Sequence, residues 1–430
     1  MTSAAGLLAL GLLQAGTGPD PGDVLRQALL KVRASANRAQ DYTCVETVER
    51  RWYTRMAPVV PAGCPLVLDE WRDPPPGLRH SSTDRLRLDV TVAKGGEIYS
   101  WAGASRFESG IDTVGLAGPI GSGAFGSYLD TIFLTDVKRF QFEGHNLVDG
   151  YDLMEYSFRV AKSDSHYFQK AGNSRDAMGY FGSVFLDPAN GDVVQLKVET
   201  IDQSAGTGPC QSETTLQFSK TETGLPFLLP GHARQRFVEP SGGQVENITN
   251  FSACREYRGE SAITFDPPTG LFSGPAGKDV PSEHAPVQAG LSFTLELLEP
   301  IDTSSAAAGD LFHARLVRPL RDAKGRTLAR AGALVDGILR RVQSVVSPQE
   351  VYVVLAPRTL RSGEQRVPLT AMRDWSKVVQ ASRDRRRLRV PILMPYPDEG
   401  PGGVFRFSGQ HVVVPRGFHS DWRTVAAKTK

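Results

Sequence analysis

The chain has 430 residues, with 49 Lys plus Arg against 47 Asp plus Glu and a net charge of +2, so no overall field marks a nucleic-acid binder or an acidic tail. A length of this order favours two or three domains. Glycine and proline make roughly 17% of the residues, above the average of about 12%, which suits many turns between many strands. Past the first residues no apolar run approaches the ~20 residues that span a bilayer, and the expected product is soluble.

Met1 to Gly16 carries an apolar stretch from Ala4 to Leu13 followed by small residues, the pattern of a secretory signal, although no positive residue precedes it. Residues 1–16 are therefore expected to be a signal peptide and the product periplasmic or secreted. Asp20 to Gln40 reads as a helix, with Asp20 at the N-cap, Pro21 at the first helical position and an apolar set Val24, Leu25, Ala28, Leu29, Val32 and Ala36 at helical spacing. From Asp41 the period changes to two, and Tyr42 to Tyr53 reads as a long strand. Further strands are expected at Arg85–Val92, Glu97–Trp101, Lys138–Leu147, Tyr151–Val160, Ser183–Asp187, Val193–Ile201, Glu213–Thr221, His232–Glu239 and Val245–Tyr257. The turns between them carry Gly, Asn and Asp clusters such as Lys94-Gly95-Gly96 and Ser241-Gly242-Gly243. Gly126 to Leu134 reads as a short helix.

One helix followed by a long antiparallel meander with a helical insertion is an α+β arrangement in which helices cover one face of a curved sheet. This order, with the segment Tyr151-Asp152-Leu153-Met154-Glu155-Tyr156-Ser157-Phe158 and the hairpin Gly182 to Val194 around Asp187-Pro188-Ala189-Asn190-Gly191, resembles the LolA/LolB-like half-barrel of periplasmic lipoprotein carriers and related sensors. The resemblance implies a cavity for acyl chains. If the sheet is such a half-barrel, alternate aromatic side chains line its concave face, and the candidates are Trp101, Phe125, Phe133, Phe140, Phe142, Tyr156, Phe158 and Phe185. The glycine-rich stretch Gly103 to Gly126 is placed to fill or gate such a cavity.

Asp266 to Gly290 is broken by Pro267-Pro268, Gly274-Pro275, Pro281 and Pro286 and reads as a linker. Beyond it, Gly309-Asp310-Leu311-Phe312-His313-Ala314, the turn Asp322 to Arg326, and Ala331 to Gly337 resemble a small β-barrel module of bacterial conjugation and envelope proteins, which implies assembly or docking. The expected fold class is thus α+β and all-β. An antiparallel curved half-barrel sheet covered by helices occupies 17–262, a linker 263–290, and a small β-barrel 291–424 with a basic loop at 373–389.

Cys44, Cys64, Cys210 and Cys254 suit two disulfides in an oxidising compartment. Proximity along the chain favours Cys44 with Cys64 and Cys210 with Cys254, among three possible connectivities; four separate buried thiols are the plainer alternative. No CxxC spacing supports structural zinc. The eight histidines are dispersed, no HExxH or GxSxG occurs, and no metal or cofactor is expected. Gly121-Ser122-Gly123-Ala124-Phe125-Gly126 satisfies GxGxxG before a helix, but without a βαβ unit it reads as a loop. Glu46, Glu49, Glu199 and Glu213 are the carboxylates able to pair across a sheet as acid and base, but Glu46 and Glu49 alternate to opposite faces and solvated strand faces are the better account of all four. Arg383, Arg385, Arg386, Arg387 and Arg389 head the basic run and are candidates for contact with anionic headgroups or envelope polysaccharide.

The functional expectation is a non-catalytic envelope protein that binds a hydrophobic ligand, a lipid or lipoprotein acyl chain, in its first unit. It would dock to envelope partners through its second, with peripheral membrane contact and no nucleic acid. A pure interaction protein with a filled interior is one alternative, and an envelope-polymer hydrolase another.

Overall fold

The computed structural model describes residues 18–39, 41–56, 64–69, 77–93, 96–104, 107, 111, 118–171, 174–201, 208–218, 228–256, 287–363, 365–374 and 401–426. The expected signal peptide, the linker up to residue 286 and the five arginines from Arg383 to Arg389 lie outside the described residues.

The first unit holds α1 (Pro21–Ala39), β1 (Tyr42–Arg55), α2 (Cys64–Asp69), β2 (Leu78–Ala93), β3 (Gly96–Trp101) and α3 (Ser127–Asp130), which runs on as a π-helical turn over Thr131–Asp136. It continues with β4 (Gln141–Val148), β5 (Tyr151–Val160), the small hairpin β6 (Phe168–Ala171) and β7 (Ser174–Ala177), then β8 (Gly179–Leu186), β9 (Val193–Ile201), β10 (Gln211–Phe218), β11 (Pro230–Val238) and β12 (Gln244–Glu256). Neighbouring strands pair antiparallel in the order β4-β5-β8-β9-β10-β11-β12-β1-β2-β3. The step out of sequence order is the β12–β1 pairing, which joins the block β1-β2-β3 to the end of the meander.

The Asp20 carboxylate accepts the Asp23 N–H at 3.1 Å and starts α1. Val24, Ala28, Val32, Ser35 and Ala39 form its buried stripe. That stripe covers one face of the sheet, where Leu88, Val90, Tyr156, Val184, Leu196, Leu216 and Phe251 share a core with Phe125, Leu129 and Ile132 of the α3 region. The β8–β9 turn holds the helix down: Lys31 pairs with Asp192 and donates to the Asn190 carbonyl at 2.8 Å, while Tyr156 Oη donates to the Pro21 carbonyl at 2.8 Å.

The second unit comprises β13 (Ser292–Leu297), β14 (Ile301–Asp302), β15 (Leu311–Leu316), β16 (Leu320–Arg321), β17 (Thr327–Ala329), β18 (Leu334–Val345), β19 (Glu350–Ser362), β20 (Gln365–Pro368), β21 (Ala371–Arg373), β22 (Gly403–Ser408), β23 (Val413–Val414) and β24 (His419–Thr424). Its own core gathers Phe293, Leu295, Phe312, Val335, Val353, Leu355, Phe405 and Trp422. Strands run β21-β24-β13-β15-β18-β19, and β20 and β22 share the far edge of β19.

Here the structure corrects the barrel expectation and the fold class built on it, as well as the resemblance to a barrel module. Among the described residues the pairings branch but never return to a strand already visited, so no sheet closes. Between β22 and the β21–β24 pair no ladder forms among the described residues, and a backbone hydrogen bond from the Arg373 N–H to the Gly402 carbonyl at 3.2 Å stands there instead. Arg373 donates to the Val404 carbonyl at 2.6 Å with its guanidinium 4.3 Å from the Phe405 ring, and Gly403 abuts the Trp422 indole. What stands is one large antiparallel sheet, with few short helices over it.

The two units share that sheet. Three partners divide the second edge of β2: β3 takes Leu88 to Ala93, Ala308 bridges Leu86, and β18 takes Ser82 to Asp84. Around Ala308 the Arg87 N–H donates to its carbonyl at 2.7 Å and its own N–H donates to the Arg85 carbonyl at 2.8 Å. The Gly309-Asp310 motif serves this seam. Asp310 pairs with Arg87, and a Cβ on Gly309, at φ 101°, would fall 2.3 Å from the Arg87 carbonyl oxygen.

The cysteine pairing also differs from the expectation. Cys44 is bonded to Cys254 and Cys64 to Cys210, with Cα separations of 4.0 and 5.1 Å. Insertion of β1 beside β12 sets Cys44 against Cys254, so adjacency in the sheet overrides proximity along the chain.

Candidate functional site

The helix-covered face brings together only part of the expected aromatic set. Phe125, Phe133, Tyr156 and Phe158 are buried in one core, and Trp101 and Phe140 pack against it. Phe142 lies 39% exposed on the edge strand β4. Phe185 is buried on the opposite face, opposite Glu155 and Gln195 in the ladders, with Lys197 Nζ 5.2 Å from its ring. Between α1 and α3 remains a hollow of about 130 Å³, bounded by Val32, Ser35, Ala36, Val92, Leu129 and Leu134 among others.

At the other end of this face the floor becomes polar. Glu46, Asn247, Thr249, Gln235 and Thr214 are all buried there. The loop from Gly118 to Gly126 crosses above them: Asn247 Nδ2 donates to the Pro119 carbonyl at 3.3 Å, and a Cβ on Gly121 would lie 2.1 Å from Gln235 Nε2. The GxGxxG sequence does present N–H groups to an anion, but that anion is internal. Glu97 accepts from the N–H of Gly123, from the N–H of Ser127 at 3.5 Å and from Tyr99 Oη. Burial raises the Glu97 carboxyl, and these donors oppose the rise. Among the described residues Glu46 has no such donors and its Oε2 no hydrogen-bond partner: burial, then the charge of Glu97, push it well above the ordinary carboxyl range. Burial thus favours the neutral form of Glu46, while the donors around Glu97 tie that side chain to the loop.

A folded-state acid with a raised pKa keeps a proton that the unfolded chain has lost, so stability falls as pH rises from the ordinary glutamate range through the raised value. Glu46→Gln is expected to melt higher than wild type at pH 8. The advantage should shrink as pH falls toward 4, and the residual slope belongs to Glu97, which is shifted in the same direction. Parallel melting temperature–pH curves for the two proteins would refute the assignment.

The opposite face of the sheet is a ladder of charges, most of them matched. Arg234 Nε meets Glu246 at 2.5 Å, Arg236 pairs with Glu213, Arg51 meets Glu49 at 2.9 Å, and Arg85 meets the same Glu49 at 2.8 Å. Toward β5, β8 and β9 the pattern opens into a groove of about 660 Å³. Strand register fixes its rows: Arg159, Phe181, Glu199 and Glu213 stand opposite one another across four strands, and Ser157, Ser183 and Lys197 form the next row. Of the four carboxylates raised as acid–base candidates, Glu199 and Glu213 thus face each other. Burial and then Glu213 raise Glu199, against the lowering effect of Arg236. Glu46 lies on the far side of the sheet and Glu49 within its own ion pairs, so the four form no single site. Arg139, Arg159 and Lys197 were not singled out from sequence, because only the register reveals that residues so far apart in the chain share a groove.

Among the described residues no group of three or more His, Cys, Asp or Glu side chains is placed to hold a metal ion. Histidines pair singly, as His166 with Asp136 at 2.5 Å and His313 with Asp336 at 2.8 Å.

No family model matches the chain, and no curated protein matches its sequence. Among solved structures it is distantly similar over about half its length to LolA-like proteins. A LolA superfamily protein from Nitrosomonas europaea shares 10% identity, covering 55% of this chain and 93% of that one at a TM-score of 0.27. A proposed outer membrane lipoprotein-sorting protein domain from Vibrio parahaemolyticus shares 14%, covering 56% and 95% at 0.27. LprF from Mycobacterium bovis shares 11%, covering 59% and 100% at 0.18. At these scores the likeness assigns neither fold nor function.

Proposed function

We propose that the chain is a non-catalytic protein of the cell envelope that takes an apolar chain beneath α1. The observation that carries this reading is the hollow between α1 and α3, walled by Val32, Ala36, Val92, Leu129 and Leu134. Its 130 Å³ is well below the ~300–1,000 Å³ of a formed ligand pocket, so entry requires α1 to lift. The helix is held by the buried Val24, Ala28, Val32 and Ala39, by Leu25 and Leu29 packed at the margin of the same core, and by the Lys31 and Tyr156 ties that must also open. Exposing each valine costs about 1.5–3 kcal/mol, while each acyl methylene that replaces it in the core returns about 0.8 kcal/mol. A chain of ordinary lipid length therefore offsets the displacement. Two disulfides among the described residues support an oxidising compartment such as the periplasm or the exterior.

The test is native mass spectrometry of the bacterially made protein, then melting with added fatty acid before and after organic extraction. Bound lipid and a rise in melting temperature are expected for wild type. Both should be lost in Ala36→Phe, whose ring fills the hollow. An empty protein that gains no stability from fatty acid would sink the lipid reading. That outcome would leave the interaction protein, a reading favoured by the dense packing of Tyr99, Phe125, Tyr156 and Tyr180, each less than 2% exposed.

A further inference from the structure

The groove on the opposite face differs from the rest of that face in its charge balance. Along β10, β11, β12, β1 and β2 the arginines meet carboxylates, as Arg236 with Glu213, Arg234 with Glu246, and Arg51 and Arg85 with Glu49. At the β4–β9 end Arg139, Arg159 and Lys197 all line the groove, and none has a carboxylate partner among the described residues. Aromatic rings hold two of them. The Arg159 guanidinium lies 5.0 Å from the Phe181 ring and Lys197 Nζ 5.2 Å from that of Phe185, contacts that orient a cation without neutralising it. Ser183 stands between them on β8, opposite both Ser157 and Lys197. Ser157 donates to Glu143, so that carboxylate is engaged at the rim.

Beside Lys197, on the β9–β10 side of the same groove, the lining turns acidic. Glu199 and Glu213 are direct neighbours across β9 and β10. Arg236 answers Glu213, and among the described residues Glu199 accepts a hydrogen bond only from the Gln211 amide. Three cations facing one space exceed what a carboxylate with a single charge satisfies, whereas a phosphate offers more oxygens and matches the planar guanidinium fork. A bare phosphate, however, would meet repulsion from the acidic side.

We propose that this groove binds a zwitterionic phosphate ester of the phosphoethanolamine type, its phosphate between Arg139, Arg159 and Lys197 and its ammonium against Glu199 and Glu213. The same chemistry occurs in a free soluble ester and in a lipid headgroup. The site lies on the face of the sheet away from α1, so it is independent of the acyl-chain reading.

Isothermal titration of the full chain with phosphoethanolamine and with inorganic phosphate tests this. Phosphoethanolamine is expected to bind saturably and more tightly than inorganic phosphate. Arg159→Ala and Lys197→Ala each remove a charge-assisted hydrogen bond and should weaken it about ten- to a hundredfold, with unchanged melting temperature because both side chains are exposed. Glu199→Gln should reduce phosphoethanolamine to the affinity of inorganic phosphate. Co-sedimentation with phosphatidylglycerol vesicles, with and without phosphatidylethanolamine, distinguishes the sources. Pelleting only with phosphatidylethanolamine identifies a headgroup, and soluble binding without pelleting identifies a free ester. Absence of saturable heat, equal affinity for inorganic phosphate, or wild-type binding by both cation variants overturns the proposal.

Discussion

Replacing Asp84 by alanine is expected to lower the unfolding free energy by about 3–5 kcal/mol, because it strips a buried guanidinium of its carboxylate. Arg50 Nε donates to Asp84 Oδ1 at 2.8 Å and its terminal nitrogen to Oδ2 at 2.6 Å, a bidentate pair with side chains only 4% and 10% exposed. Most of the cost is the desolvated charge left behind, not the value of the pair itself. Arg50→Met with Asp84→Leu should therefore recover much of the loss, since removing both charges also removes the desolvation. Position adds a second consequence. Asp84 stands opposite Gln343 where β18 joins β2, so the single variant should also loosen the seam between the units. Urea denaturation at pH 7 measures the first effect, and hydrogen exchange of the Val346 amide, which donates to the Ser81 carbonyl at 2.9 Å, the second. A loss below about 1 kcal/mol would place the pair in the class of exposed ion pairs and refute the burial argument.

Local features were legible in the sequence where the period itself carries the information. The α1 stripe, the period-two run of β1 and the strands from Tyr151 to Val160 and Val193 to Ile201 coincide with observed elements, because each depends on side-chain alternation within one segment. What depends on partners remote in the chain was not legible. Insertion of β1 between β12 and β2 is invisible to periodicity, and with it the disulfide connectivity. The Gly309-Asp310 motif was read as part of a barrel, yet its glycine serves a close approach to Arg87 and its aspartate an ion pair across the seam. A glycine at a tight backbone contact has the same letter in either setting. Of the aromatic candidates, Phe125, Phe133, Tyr156 and Phe158 share one packed core on the helix-covered face. The cation cluster was missed because Arg159 and Lys197 share a face only through register, where a one-residue slip in either ladder would turn its member to the other face, and Arg139 joins them from the segment before β4.

Removing Cys44 and Cys254 by paired alanine substitution is expected to cost about 2–5 kcal/mol, the range for a native disulfide closing a long loop. The bond spans a sequence separation of 210, and the Cys64–Cys210 bond, separation 146, nests inside it. Nesting governs how the two losses combine. With the inner bridge intact the outer one closes only the chain segments flanking it, so each single removal releases less unfolded-state entropy than its full span would. Reduction of both releases the whole loop. Against a total stability of about 5–15 kcal/mol, that combined loss leaves little margin. The native side adds a difference between the bridges: β1 and β12 are already paired from Tyr42 to Tyr53, whereas the short α2 buries only Val67 near Cys210 and Val238. Losing the inner bridge should therefore also free α2, visible as protease cleavage within Cys64–Asp69 in Cys64→Ala/Cys210→Ala but not in Cys44→Ala/Cys254→Ala. Melting with and without dithiothreitol measures the combined effect, and a melting temperature indifferent to reductant would contradict both the connectivity argument and the oxidising compartment inferred from it.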